Sequence, residues 1–148
     1  MTLTDTSRPL AETPEWAQPG TVEPLRRVLP THLEPLLPAL AELTRLEPGW
    51  DSYSGRPTSS HAASRALALM VDAGWDGPLP TVSPMADGGI TMEWGGDDAS
   101  VELIVRAGGE ASVLVDVEGE MREALVSGPG DPALREALLW AGKLSPAG

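Results

Sequence analysis

The chain predicts an α+β fold: a two-layer sandwich built on an antiparallel β-meander of three to five strands, with helices packed on one face. Three observations predict it. Apolar and polar residues alternate in three successive runs between Ile90 and Val117. The connectors between the runs are short and carry glycine, which suits antiparallel hairpins and not the long crossovers of parallel sheets. Apolar residues at helical spacing occur before and after the runs, never between them.

Residues Met1 to about Gly20 mix Thr, Ser, Pro and acids without a period, so 1–20 is expected to be a mobile tail and 21–148 a single domain. Trp16 is the one tail residue suited to docking on the body. Pro24, Pro30, Pro35 and Pro38 restrict any early helix to short pieces. After Pro38, a tolerated first-turn position, Ala39 to Leu46 reads as helix, with Leu36, Leu37, Leu40 and Leu43 as its apolar stripe. Pro48 and Gly49 stop it. A second helix is expected after the turn Ser54-Gly55-Arg56-Pro57, because Thr58, Ser59 and Ser60 are good N-caps and Ala63, Leu67, Met70 and Val71 share a face, with Gly74 closing it.

Pro78 to Pro84 reads as an extended segment and a candidate edge strand, since residues before proline avoid the helical region. Three strand signals follow. Ile90, Met92 and Trp94, then Val101, Leu103 and Val105, then Val113, Val115 and Val117 alternate with polar or solvent-facing neighbours. Met121 to Val126 fits strand or helix equally. Asp131 caps a last helix that opens with Pro132 and presents Leu134, Ala137, Leu138 and Ala141 on one face.

Composition narrows the function classes. The 148 residues are 41% hydrophobic, enough for a core, and glycine and proline (16 and 15 residues) stay below the share that marks a disordered chain. There is no cysteine, which removes disulfides and thiolate zinc sites. Neither a basic leader nor a run of ~20 apolar residues is visible, so a cytoplasmic protein is expected, with no membrane partner.

The charge is lopsided. Eleven acids fall between Asp72 and Glu120 against one base, Arg106, so ten of the twelve net negative charges lie in that stretch. A field of that sign repels nucleic acid and attracts basic surfaces or cations. On the sheet face opposite the helices the pattern places Thr91, Glu93, Glu102, Ile104, Arg106, Ser112, Leu114 and Asp116. If the strands pair in register, Ile104 and Leu114 form a small apolar centre inside a carboxylate rim, extended by Asp97 and Asp98 in a hairpin loop. Scattered exposed aliphatics are also ordinary, and a fold-back of residues 121–144 over this face is the competing arrangement.

The loop Gly49-Trp50-Asp51-Ser52-Tyr53-Ser54-Gly55-Arg56-Pro57 is the densest local motif. Trp50 and Tyr53 each offer an apolar body with one polar tip, and Asp51 can accept from backbone amides of its own turn. The loop reads as a structural plug between helices, with a small-molecule site at Trp50, Asp51 and Tyr53 as the alternative. A Ser52 or Ser54 nucleophile with His61 as base and Asp51 as orienter can be written down, but no G-x-S-x-G elbow or oxyanion-hole motif accompanies it. The calcium loop D-x-[DN]-x-[DN]-G with its later Glu is absent, so no structural metal is expected. The paired glycines at 88–89, 95–96 and 108–109 join strand to strand and are followed by no phosphate-binding lysine, so hairpin turns explain them better than phosphate cradles.

Trp50-Asp51-x-Tyr53 with Pro57, followed by Pro80-x-Val82-x-Pro84-x-x-Asp87-Gly88-Gly89-Ile90-x-Met92-Glu93-Trp94, resembles a group of small uncharacterised bacterial proteins. These carry a W-D-G-Y-G-A-like loop, a helix, and a P-x-V-x-P-x-x-D-G-G-[IV]-x-L-E-W strand entry. The resemblance covers about Leu46 to Val105. It implies that this span folds as a unit, and it assigns no catalytic residue or cofactor. Ser52 and Ser54 stand where the group has glycine, which implies a stiffer loop.

These readings converge on a non-enzymatic acidic module that binds a basic protein, as an inhibitor, antitoxin-like neutraliser or DNA mimic does, through Glu93, Glu102, Ile104, Leu114, Asp116, Asp97 and Asp98. No cofactor, metal or direct nucleic-acid contact is expected. A structural or assembly protein forming a homodimer through a strand edge or the open face is the alternative.

Overall fold

The computed structural model describes residues 29–144; the expected tail and the docking of Trp16 lie outside the described residues. A 3-10 turn, Thr31–Leu33, leads into α1 (Leu36–Thr44) and α2 (Ser60–Asp72). Five strands follow: β1 (Thr81–Pro84), β2 (Ile90–Gly95), β3 (Ala99–Val105), β4 (Ala111–Val117) and β5 (Glu120–Val126), and α3 (Pro132–Lys143) ends the domain. The strands pair antiparallel in chain order, so the meander reaches the upper end of the expected range.

Local chemistry accounts for most boundaries. Helix α1 begins at Leu36, three residues before the expected start, which puts Pro38 in the first turn, where its missing N–H has no helical acceptor to lose. The Ser59 hydroxyl accepts from the Ala62 amide at 3.0 Å and opens α2. The helix closes through Gly74, at φ +72°, whose left-handed turn lets the Trp75 amide donate back to the Met70 carbonyl at 3.1 Å. Asp131 caps α3 by accepting from the Ala133 amide at 2.8 Å. Its other carboxylate oxygen takes the Ser127 amide at 2.9 Å, which fastens the end of β5 to the start of the helix.

Residues 120–126 resolve as strand. Glu118 and Gly119, at φ 55° and 81°, make a two-residue turn with both central residues left-handed, and Val117 pairs with Glu120 across it. β5 therefore continues the meander as an edge instead of folding over the open face.

One face of the sheet carries the core. Ile90, Met92, Trp94, Val101, Leu103, Val105, Ala111, Val113 and Val115 are buried against Leu36 and Leu40 of α1, Ala63, Ala66, Leu67 and Met70 of α2, and Leu134, Ala137 and Ala141 of α3. No residue on the other face of β2, β3 or β4 is fully buried. Trp75 and Trp94 meet edge to face, with ring centroids 5.5 Å apart, and both indole N–H groups donate to the Pro78 carbonyl, at 2.9 and 2.8 Å. That shared acceptor ties the chain leaving α2 to β2.

Candidate recognition face

Alternate side chains of a strand point to opposite sides, so the residues that leave the core unfilled form the second face. The register arranges them in rows across the five strands. One row runs Thr81, Glu93, Glu102, Leu114, Glu123; the next runs Ser83, Thr91, Ile104, Ser112, Leu125; and Gly95, Ser100, Asp116 and Met121 form a third. Glu93, Glu102, Ile104, Leu114 and Asp116 are thus brought onto one surface, as the alternation predicts. Asp97 and Asp98 are exposed in the β2–β3 hairpin, beyond the Ser100 and Asp116 end.

Ile104 and Leu114, expected to lie close together, are diagonal neighbours in the register and not a directly facing pair. Ile104 lies opposite Ser112, and Leu114 lies opposite Glu102. The cause is the β3–β4 turn: Val105 closes on Ala111 with residues 106–110 between, which sets every facing pair along the two strands and leaves Ile104 and Leu114 diagonal. The Glu102 carboxylate stands beside this apolar pair, directly opposite Leu114.

Glu102 feels this position. Its partial burial, first, and the facing Glu93 carboxylate, second, push its carboxyl above the ordinary glutamate range. Among the described residues, no base faces either residue in the register. Arg106, the single base of the acidic stretch, is engaged at the opposite end of the sheet, 3.1 Å from Asp87.

Three further residues belong to this face and were missed in the sequence: Met121, Glu123 and Leu125 of β5. Met121 is 63% exposed and Leu125 82% exposed. Counting the alternation of two through the Glu118-Gly119 turn would have found them. Beside Leu125 a shallow groove of about 580 Å³ opens at the ends of β4 and β5, lined by Arg106, Glu110, Ser112, Leu125, Ser127 and Asp131.

The Trp50 loop is built differently. Asp51 Oδ1 accepts from the Tyr53 and Gly55 amides, both at 2.9 Å, and these bonds hold its carboxyl below the ordinary aspartate range. Trp50 donates its indole N–H to the Arg56 carbonyl at 2.7 Å. The extended segment that follows is stitched to the β1–β2 hairpin: Arg56 N–H donates to the Ala86 carbonyl, Ser59 N–H to that of Gly88, and the Thr58 hydroxyl to that of Gly89. These bonds, spanning about 30 residues of chain, join the two halves of the sequence motif into one structural joint. Tyr53 stays outside it, 86% exposed.

His61, in the first turn of α2, lies against the β3–β4 hairpin, where a Cβ on Gly109 would come within 2.5 Å of its Nε2. The described hydrogen bonds join neither His61 nor Asp51 to the Ser52 or Ser54 hydroxyl. Among the described residues no group of three or more His, Asp or Glu is placed to hold a metal ion, and no helix is long and apolar enough to cross a membrane. Comparison with family models, with curated proteins and with solved structures yields no match.

Proposed function

We propose that the chain is a non-enzymatic acidic binding module whose uncovered sheet face engages a basic protein. The observation that carries this reading is the facing pair Glu93 and Glu102, set beside Leu114 with no base opposite them among the described residues. Like charges opposite each other across strands destabilise a sheet, so a folded chain gains nothing by itself from this arrangement. A cationic partner reverses the sign: an arginine or lysine between the two carboxylates relieves their repulsion, and its aliphatic stem packs on Ile104 and Leu114. An inhibitor, antitoxin-like or nucleic-acid-mimicking role uses the same physics, in which the negative field accelerates encounter with a positively charged target.

The test is paired affinity capture. Immobilised wild-type protein and the Glu93→Gln/Glu102→Gln/Asp116→Asn variant are exposed to the same cell extract at low salt, and bound proteins are identified by mass spectrometry. The reading expects basic proteins retained by the wild type, released by salt and lost with the variant. Retention that is unchanged in the variant contradicts it.

Self-association is the second reading, favoured by the exposed Met121 and Leu125 on an edge strand. Light scattering that shows a dimer insensitive to salt would select it.

A further inference from the structure

The two edges of the sheet are unequal. β1 is four residues long and ends in Pro84, with Pro80 just before it, devices that blunt an edge against pairing. β5 is seven residues long, contains neither proline nor glycine, and pairs with β4 without a bulge from Glu120 to Val126. Among the described residues, its outer side faces no further strand. An edge of this length with exposed Met121 and Leu125 is a template for another strand.

The turn chemistry fixes which backbone groups are offered. A two-residue turn with both residues left-handed is closed by a pair that exchanges both hydrogen bonds, here Val117 and Glu120. Pairs then alternate along the ladder, so Arg122 and Ala124 bond inward to β4. The N–H and C=O of Met121, Glu123 and Leu125 point outward. Those same three residues carry the recognition-face side chains of β5.

We infer that the partner docks by adding an antiparallel or parallel strand to β5, presenting a basic residue to Glu123 between two apolar residues that cover Met121 and Leu125. This rests on the binding role proposed above and specifies its geometry. A second copy of the chain fits less well. The antiparallel self-pairing that sets Met121 against Leu125 also sets Glu123 against Glu123, between two chains of net charge −12. A cationic strand instead meets Glu123 and, further along the same row beyond Leu114, the field of Glu102 and Glu93. The groove beside Leu125 continues the edge and gives the end of an added strand a place to lie.

The probe is a short capped peptide in which leucine, lysine and leucine alternate with threonine, flanked by lysines, together with the same peptide N-methylated on alternate amides. Binding is followed by fluorescence anisotropy and by hydrogen exchange at single amides, using the full chain. The inference expects the unmethylated peptide to bind at low salt and to slow exchange at Met121, Glu123 and Leu125. Glu123→Pro removes one outward N–H without touching a β4 bond and is expected to weaken binding by about tenfold or more, beyond the effect of Glu123→Gln, which removes only the charge. A thermal melt of each variant shows that the fold is retained. Binding that ignores Glu123→Pro and N-methylation but falls with Glu93→Gln/Glu102→Gln overturns strand addition and leaves the charge reading standing. Binding lost to neither set, or absent at low salt, overturns both. Protection of the three amides that grows with protein concentration alone overturns the inference in favour of self-pairing.

Discussion

Glu93 of β2 and Glu102 of β3 are direct cross-strand partners on the sheet face that the described helices leave open, two carboxylates in a position where neighbouring strands ordinarily place complementary side chains. The pair is what a partner with the opposite charge would complete, and it makes the isolated domain less stable than it could be.

Glu102→Gln is expected to stabilise the domain at neutral pH. A carboxyl whose folded value is raised contributes stability below its unfolded value and loses it as pH rises through the folded value, so ionised Glu102 is a net cost at pH 7. Because the group is only partly buried and water still screens the pair, removing the repulsion should gain only roughly 0.5 kcal/mol, in the range of a cross-strand pair. Thermal melts of the two proteins from acid to neutral pH check it: the gain should appear at pH 7 and vanish below the ordinary glutamate range.

How much of this was legible in the sequence depends on which residues are asked about. The strands β2 to β4 and their core face follow from Ile90, Met92, Trp94, Leu103 and Val113, because a fully buried face enforces strict alternation. β5 was ambiguous because an edge strand buries little: only Val126 of its seven residues is buried, so Met121, Ala124 and Leu125 match a helical spacing as well as a strand. The face itself was legible, but the neighbours within it were not. Whether Leu114 meets Ile104 or Glu102 depends on how residues 106–110 turn, and composition does not encode that. The joint between the Trp50 loop and the β1–β2 hairpin was hidden for a related reason, since its backbone bonds leave no mark on side-chain pattern.

That joint has its own expected behaviour. A Cβ on Gly55 would lie 2.6 Å from the Asp51 carboxylate, so Gly55→Ala and Asp51→Ala are each expected to lower the melting temperature, with the double variant losing less than the two losses together. A double-mutant cycle by thermal melts measures the coupling. Asp51 and Asp131 both have lowered carboxyl values from backbone N–H bonds, so both contribute stability above the ordinary aspartate range that is lost as pH falls through their folded values. In Asp51→Asn or Asp131→Asn, acid unfolding should begin from a lower starting stability and fall less steeply.

Ser52 occupies the left-handed region at φ 71°, where glycine carries no steric penalty. Ser52→Gly is expected to leave the melting temperature unchanged or raise it slightly, while Ser52→Val lowers it. Circular dichroism melts separate the two.

Trp75 and Trp94 share the Pro78 carbonyl, so neither substitution alone leaves that acceptor unpaired. Trp94→Phe should cost roughly 1–2 kcal/mol from lost packing and one hydrogen bond, and Trp75→Phe a similar amount. The double variant should cost more than the sum, because only then is the carbonyl orphaned. Urea unfolding of the three variants measures this.

The proposed recognition takes place on the acidic face that the described helices leave open. Mapping amide chemical-shift changes in the isotopically labelled chain during titration with the lysine-flanked peptide at low salt tests it most directly. The account predicts that shifts concentrate at Glu93, Glu102, Ile104, Leu114, Asp116 and Glu123 and disappear in the Glu93→Gln/Glu102→Gln/Asp116→Asn variant. Shifts concentrated at Trp50 and Tyr53, or on the outer surfaces of α2 and α3, with those face amides unmoved, would contradict it.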